Sequence, residues 1–315
     1  MQHPLEEKLR RDRKKAISLE KSGKKTKALI AAVLGNVLWG FALMFTRIGQ
    51  QYALPPQQLA HRFTLAFLLS TLMILFRMET YRLRGKKMRP LLLLCLCELS
   101  CFFFESYGIY YSNSTTAGIF MAVSPIAAML LAALFLREAP TRWQMLWSAL
   151  PIAGVIIIST VGSSLGAVRA LGLFLLLMYC LSSGAYKTVN RSASREFTPF
   201  ERMYTLMGAC AVTFSAVSLF QLKGDVSAFF APLLHWQYDV SILVLSIFAS
   251  IVANMLINYA SGDISVTEMA TLGALTTVCS TFAGIVFLHE PFNMLILLGV
   301  VLILVGVWMV TARKE

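Results

Sequence analysis

The chain has 315 residues, 57% hydrophobic and 14% charged, with a mean hydropathy of +0.68. A soluble domain carries roughly 25% charged residues, so the composition excludes a water-soluble protein and makes a lipid bilayer the solvent. The net charge of +12 would fit a nucleic-acid binder, but the basic residues sit between apolar segments, which excludes that partner and reads as a topology signal.

In chain order, residues 1–28 come first as a polar, helix-prone segment with ten Lys and Arg between positions 8 and 27. No cleavage pattern follows, so it is expected to stay as a cytoplasmic segment. Anionic membrane lipid is a secondary partner for it. Ten apolar stretches follow, at roughly 29–50, 58–76, 90–111, 114–136, 142–162, 167–188, 201–222, 240–261, 265–288 and 292–311. Each approaches the about 20 residues that a spanning helix needs. Runs of this length without period-two alternation exclude a β-barrel. Short connections make neighbouring spans antiparallel.

Basic residues fall in the N-terminal segment, between Arg77 and Arg89, at Arg137 and Arg142, between Lys187 and Arg202, and at Arg313 and Lys314. Only Arg47, Arg62, Arg169 and Lys223 fall elsewhere. The positive-inside rule then predicts both termini in the cytoplasm of a protein in the inner (plasma) membrane. The cysteines Cys95, Cys97, Cys101, Cys180, Cys210 and Cys279 all lie in predicted spans and read as small apolar residues, not disulfides or metal ligands. No cofactor or metal is expected.

The chain repeats itself. Leu136-Arg137-Glu138-Ala139-Pro140 aligns with Leu288-His289-Glu290-Pro291-Phe292 at an offset of 152, and Ile152-Ala153-Gly154-Val155 falls on Leu304-Val305-Gly306-Val307. Gly40 and Arg47 align with Gly184 and Arg191, and Pro56 with Pro199. The halves are 29–162 and 163–312. Each has five spans, an odd number, so the second is inverted relative to the first. The two Glu/Pro turns become equivalent hairpin ends, structural rather than substrate-binding.

Asn36-x-x-Trp39-Gly40, Arg62, Ser124-Pro125 and the Leu-x-Glu-x-Pro turn, in that order over about residues 28–312, resemble the EamA-type drug/metabolite transporter superfamily. The second half departs from the pattern, with Thr276-Thr277 for Ser124-Pro125 and its Pro moved by one residue. The resemblance implies an all-α membrane protein of ten transmembrane helices, two inverted five-helix repeats around a central cavity, working by alternating access. It does not fix the cargo.

Polar residues kept in apolar spans at a cost of at least about 2.5–3.5 kcal/mol are the site candidates. Glu98 and Glu105 share one face of the third span. Glu98, near the midplane, is either a substrate-amine or proton-coupling site, or a protonated carboxyl bonded to a neighbouring helix. Arg62 is expected to form a structural ion pair with Glu105, and His61 to be a hydrogen-bonded interface residue. Ser250, Asn254 and Asn258 are spaced i, i+4, i+8, and the repeat superposes them on Glu98, Phe102 and Ser106. One polar stripe could serve packing alone, whereas two matched stripes point to a shared cavity. Asn36 and Trp39 on the first span and Tyr179, Ser183 and Tyr186 on the sixth complete the substrate-binding candidates. Such aromatics suit amphipathic or cationic solutes, and equally a lipid-facing belt. Lys187 is expected to snorkel to the cytoplasmic end, and Glu268 either to favour its helix N-terminus or to gate the inner mouth.

No phosphate-binding loop, HExxH or Ser/His/Asp pattern is present, so neither ATP hydrolysis nor an enzyme active site is indicated. The expectation is a secondary transporter of small organic metabolites, with a single chain sufficing. Export of amino acids or related compounds rests on the resemblance. An importer or facilitator of another metabolite class, or a lipid scramblase or membrane enzyme using the same cavity, remains open.

Overall fold

A computed structural model describes residues 3–111, 114–161, 170–287 and 293–312. The second Glu/Pro turn, Leu288–Phe292, and the side chains of Arg47 and Ser106 lie outside the described residues. Among the described residues the secondary structure is helical, with no strand.

Helix α1 runs unbroken from His3 to Gly49. No proline interrupts residues 5–49, so the helix continues without a break from the basic N-terminal segment into the first apolar stretch. There follow α2 (Pro55–Leu75), α3 (Arg89–Tyr111), α4 (Ser114–Phe135), α5 (Arg142–Val161), α6 (Ala170–Ala193) and α7 (Pro199–Gln221). A short α8 (Val226–Phe230) and a 3₁₀ turn lead to α9 (Trp236–Val244), which continues through a π-helical segment, Leu245–Ala253, into α10 (Asn254–Ala260). The chain ends in α11 (Val266–Leu272), α12 (Leu275–Phe287) and α13 (Met294–Ala312).

Seven helical runs among the described residues are long and apolar enough to cross a membrane. The described apolar parts of α4 and α5 are shorter, Ser124–Phe135 and Arg142–Ile158. The chain is an all-helical, multi-pass membrane protein.

Three helix pairs carry the frame: α2 with α7, α3 with α6, and α5 with α13. Helix α1 packs on α9–α10 and α12, and α4 packs on α6. The largest core cluster gathers Phe63, Phe200, Met203, Leu206, Met207 and Phe214 around the α2–α7 pair. Glycines permit the closest approaches. A Cβ on Gly184 of α6 would sit 2.8 Å from the backbone of Ala127 and Ala128 in α4, and one on Gly40 of α1 would meet Thr276 O at 2.8 Å. Backbone cannot retreat as a side chain can. Gly184→Ala is therefore expected to cost about 1–3 kcal/mol of stability. Thermal denaturation in detergent checks this, with Gly23→Ala, which meets nothing within 4 Å, as the unaffected control.

One end of the bundle is basic and tightly capped. Thr198 and Glu201 form a capping box at the start of α7. Glu201 also bonds Lys86 Nζ at 2.5 Å and the Arg82 backbone N–H at 3.2 Å, strapping the 76–88 loop to α7. Ser265 and Glu268 form a second capping box on α11, and Glu268 pairs with Lys25 Nζ of α1 at 2.8 Å. The helix-terminus role expected of Glu268 is present, with an added tie to α1.

Candidate functional site

A cavity of about 370 Å³ lies at the centre of the bundle, walled by α1–α7 and α10–α12. Of the residues singled out by sequence, Asn36, Trp39, Glu98, Phe102, Tyr179, Ser183, Tyr186 and Asn254 line it, as do Arg62 and Glu105. Helical spacing explains the convergence. Glu98, Phe102 and Glu105 share one face of α3, and Tyr179 and Ser183 one face of α6.

The α1 wall is fixed by hydrogen bonds to the other elements. Trp39 Nε1 donates to the Ala249 carbonyl at 3.0 Å, inside the π-helical segment. Asn36 Nδ2 donates to Ala32 O at 2.7 Å, and its Oδ1 accepts from Thr276 Oγ1 at 3.2 Å. Asn254 Nδ2 also donates to the Ala249 carbonyl, at 3.1 Å. Two buried polar atoms of the cavity wall, Asn254 Oδ1 and Tyr186 OH, have no protein partner among the described residues. A buried orphan group costs roughly 1–3 kcal/mol, so these two atoms call for a ligand or water.

The structure corrects four expectations. Among the described residues, Arg62 and Glu105 form no ion pair within 4.0 Å. Arg62 instead donates through Nε to Ser250 Oγ at 2.7 Å, with its guanidinium 5.2 Å from the Phe63 ring centroid. The guanidinium is hydrogen-bonded to the π segment rather than paired with Glu105. Ser250 is consequently fully buried behind Arg62 and does not line the cavity. Asn258 is also buried away from it, because Asn190 Nδ2 donates to its Oδ1 at 3.0 Å and its own Nδ2 donates to Pro199 O at 3.3 Å. Finally, Lys187 does not snorkel to the helix end but lines the cavity.

Lys187 and Arg191 are the site residues that sequence reasoning missed. The signal was present: Tyr179, Ser183, Lys187 and Arg191 recur every four residues, one stripe down α6, and all four line the cavity. His61 stands outside the cavity, its Nδ1 2.7 Å from Tyr238 OH and its ring edge-on to Phe229, an interface residue as expected. None of the six cysteines is in a disulfide bond.

Besides Arg191, which is paired with Glu138, the cavity lining holds two cations, Arg62 and Lys187, and two acidic side chains, Glu98 and Glu105. Among the described residues none of the four is in an ion pair within 4.0 Å. Aromatic rings lie beside them: Trp39, Tyr179 and Phe102, the last packed edge-on against Phe63 and Phe214.

Comparison with known proteins gives the kinship. The model of the EamA-like transporter family matches twice, at residues 26–160 and 170–312. The uncharacterized transporter YcxC of Bacillus subtilis is 34% identical, over 90% of this chain and 92% of that protein. An uncharacterized transporter of Archaeoglobus fulgidus is 22% identical, over 91% of this chain and 100% of that protein. A solved crystal structure superposes with a TM-score of 0.74 at 16% identity, over 91% of this chain and 97% of that one, which shows a shared fold. With both family matches inside one chain of apolar helices around a charged cavity, this protein belongs to the EamA-like transporter family of the drug/metabolite transporter superfamily, a transporter and not an enzyme.

Proposed function

We propose that this protein is a secondary transporter of small organic metabolites that exports amino acids or related compounds by alternating access. The observation that carries the reading is the set of four charged side chains in the central cavity, Arg62, Lys187, Glu98 and Glu105, that form no ion pair with one another. Charges inside a membrane are normally paired with one another. Two cations and two carboxylates left apart around one small space suit a solute that brings both signs, such as an amino acid. Glu98 is the acceptor for the solute's ammonium and the proton-coupling candidate. Arg62 and Lys187 face its carboxylate, and Asn254 Oδ1 and Tyr186 OH complete its hydrogen bonds. Trp39, Tyr179 and Phe102 give an apolar or cation-binding face.

The ten-helix, inverted-repeat architecture belongs to this reading. It is supported by the two glycine contacts: Gly40 seats α1 against the Thr276–Cys279 stretch, and Gly184, at the equivalent register, seats α6 against α4. Under the repeat α1 corresponds to α6 and α12 to α4, so one contact is the counterpart of the other. The distribution of Lys and Arg supports a plasma-membrane protein with both termini cytoplasmic. The chain works as a monomer, with solute and lipid as its partners and no nucleic acid.

The test is counterflow of labelled amino acids into proteoliposomes of the purified protein, with organic cations and organic anions as comparison solutes. Amino acids are expected to exchange, and to raise the melting temperature of the protein. Movement of only the singly charged solutes removes the substrate class. Lipid flipping without any solute movement would favour a scramblase.

A further inference from the structure

We propose that Glu105 is a second acceptor for the solute's ammonium group, so that one zwitterion takes two poses in turn, pivoting on Arg62 from Glu98 to Glu105. The two poses rest on the transporter reading for the identity of the solute, but the spacing of the charges stands alone. Seven residues separate Glu98 from Glu105 on one face of α3, about 10 Å along its axis. Neighbouring helices fix what lies level with each acid. The Lys87 N–H, just before α3, donates to Glu196 Oε2, just after α6, at 3.2 Å, so the two helices run in opposite directions. A Cβ on Gly108 of α3 would sit 3.4 Å from the backbone N of Leu176 in α6. Counting back along α3 and forward along α6 from that contact brings Glu105 level with Tyr179, and Glu98 level with Tyr186, next to Lys187. The electrostatic neighbours agree: Glu105 acts on Tyr179, and Glu98 on Tyr186 and Lys187. Phe63, next to Arg62 on α2, has its ring centroid 5.3 Å from that of Phe102, which lies between the two acids on α3. Arg62 therefore enters the cavity between the levels of Glu98 and Glu105, and both act on it.

Arg62 is built to be the shared point. Its Nε is spent on Ser250 Oγ at 2.7 Å, which anchors the guanidinium. Its two terminal nitrogens make no hydrogen bond to protein among the described residues. They form the planar fork that grips a carboxylate through two parallel bonds. The charges along the cavity run Glu105, Arg62, Glu98, Lys187, alternating in sign. With its carboxylate on Arg62, the solute offers its ammonium to Glu98 on the side of the basic end, or to Glu105 on the other. An α-amino acid carries both groups on one carbon, so it cannot touch two acids about 10 Å apart at the same time. It meets the same pair of charges in either pose. The ammonium therefore moves along the cavity without being left bare in a water-poor site, where an unpaired ion is costly.

Equilibrium binding to the purified whole protein tests this. Labelled L-alanine, L-leucine, L-glutamine and L-phenylalanine are the probes, and the tightest binder is carried through the variants. Losing one of two comparable poses lowers affinity only by the fraction that pose held. Glu98→Gln and Glu105→Gln are each expected to weaken binding by about two- to fivefold, and the double variant by about 10–100-fold. Arg62→Gln removes the group that both poses share. It is expected to match the double variant, and serves if that variant folds poorly. In proteoliposomes, Glu105→Gln is expected to slow counterflow of the same amino acid by about tenfold, a split between binding and movement that a merely structural role would not give. Parent-like binding in Arg62→Gln overturns the two poses, as does a double variant that binds no more weakly than Glu98→Gln alone. The expected binding pattern in a protein that moves no solute upholds the two poses and defeats the transport reading. Counterflow by the parent, with Glu105→Gln unchanged in both binding and rate, does the reverse. Failure of every probe to bind defeats both.

Discussion

Arg202→Ala is expected to cost this protein about 3–5 kcal/mol of stability, the range found when one partner of a buried charged network is removed. Arg202 is 1% exposed, at the start of α7 beside the capping box. Nη1 donates to Asn190 Oδ1 at 2.5 Å, Asn190 O at 3.0 Å and Ser261 Oγ at 2.8 Å, and Nη2 to Asn258 O at 2.5 Å. Among the described residues no carboxylate pairs with it within 4.0 Å. Its two terminal nitrogens are held by neutral oxygens of α6, α10 and the turn after it, while Nε is buried with no partner among the described residues. Truncation leaves those acceptors buried without donors. An isosteric apolar residue such as Met would do no better, because the acceptors stay where they are. Arg202→Lys is expected to recover only a small part, since an ammonium cannot serve two separated acceptor sets with a planar fork. Unfolding in detergent, followed by heat or denaturant, measures the loss. A parent-like midpoint for Arg202→Ala would show that the network is ornamental.

The second large effect is on transport. Glu98→Gln keeps the size of the side chain and removes its charge from the centre of the cavity. Losing a hydrogen bond to a charged group costs about 1.5–3 kcal/mol, so exchange of a zwitterionic solute should fall by about 10–100-fold. If Glu98 carries the coupled proton, the pH dependence of uptake flattens in the same variant. Its melting temperature should hold or rise, because an unpaired carboxylate in a membrane-embedded cavity is itself costly. Glu98→Asp separates the charge from its position, and partial recovery there would assign the effect to the carboxylate. Unchanged rates and an unchanged pH profile in Glu98→Gln would remove Glu98 from both roles.

Much of this molecule was legible in its sequence because a bilayer allows few solutions. Apolar run length set the helices, and the cost of polarity in lipid marked the residues around the cavity. Three things were not legible. The partner of Arg62 depended on how far a guanidinium can swing, and Ser250 was nearer in effect than Glu105. The fate of Lys187 depended on where the bundle is hollow, which hydropathy does not encode. The Ser250–Asn254–Asn258 stripe was counted at a period of 3.6 residues, but Leu245–Ala253 is wound as a π-helix, with more residues to each turn. Asn254 reaches the cavity while Ser250 faces Arg62. Asn258, expected on the cavity wall, has its side chain bonded by Asn190 and Pro199 and its carbonyl by Arg202.

That wide turn has a bearing on how sequences of this kind are compared and edited. A π turn holds a surplus residue, so the segment stands to an ordinary helix as an insertion stands to its parent. Removing one residue between Leu245 and Ala253 would let the segment tighten. Everything downstream to Ala260 would then rotate by about 100°, one residue's share of a helical turn. Asn254 and Ile257, which now face the cavity, would turn away together, with no cavity residue substituted. An alignment gap of one position in this stretch is thus equivalent to rewriting one wall of the site.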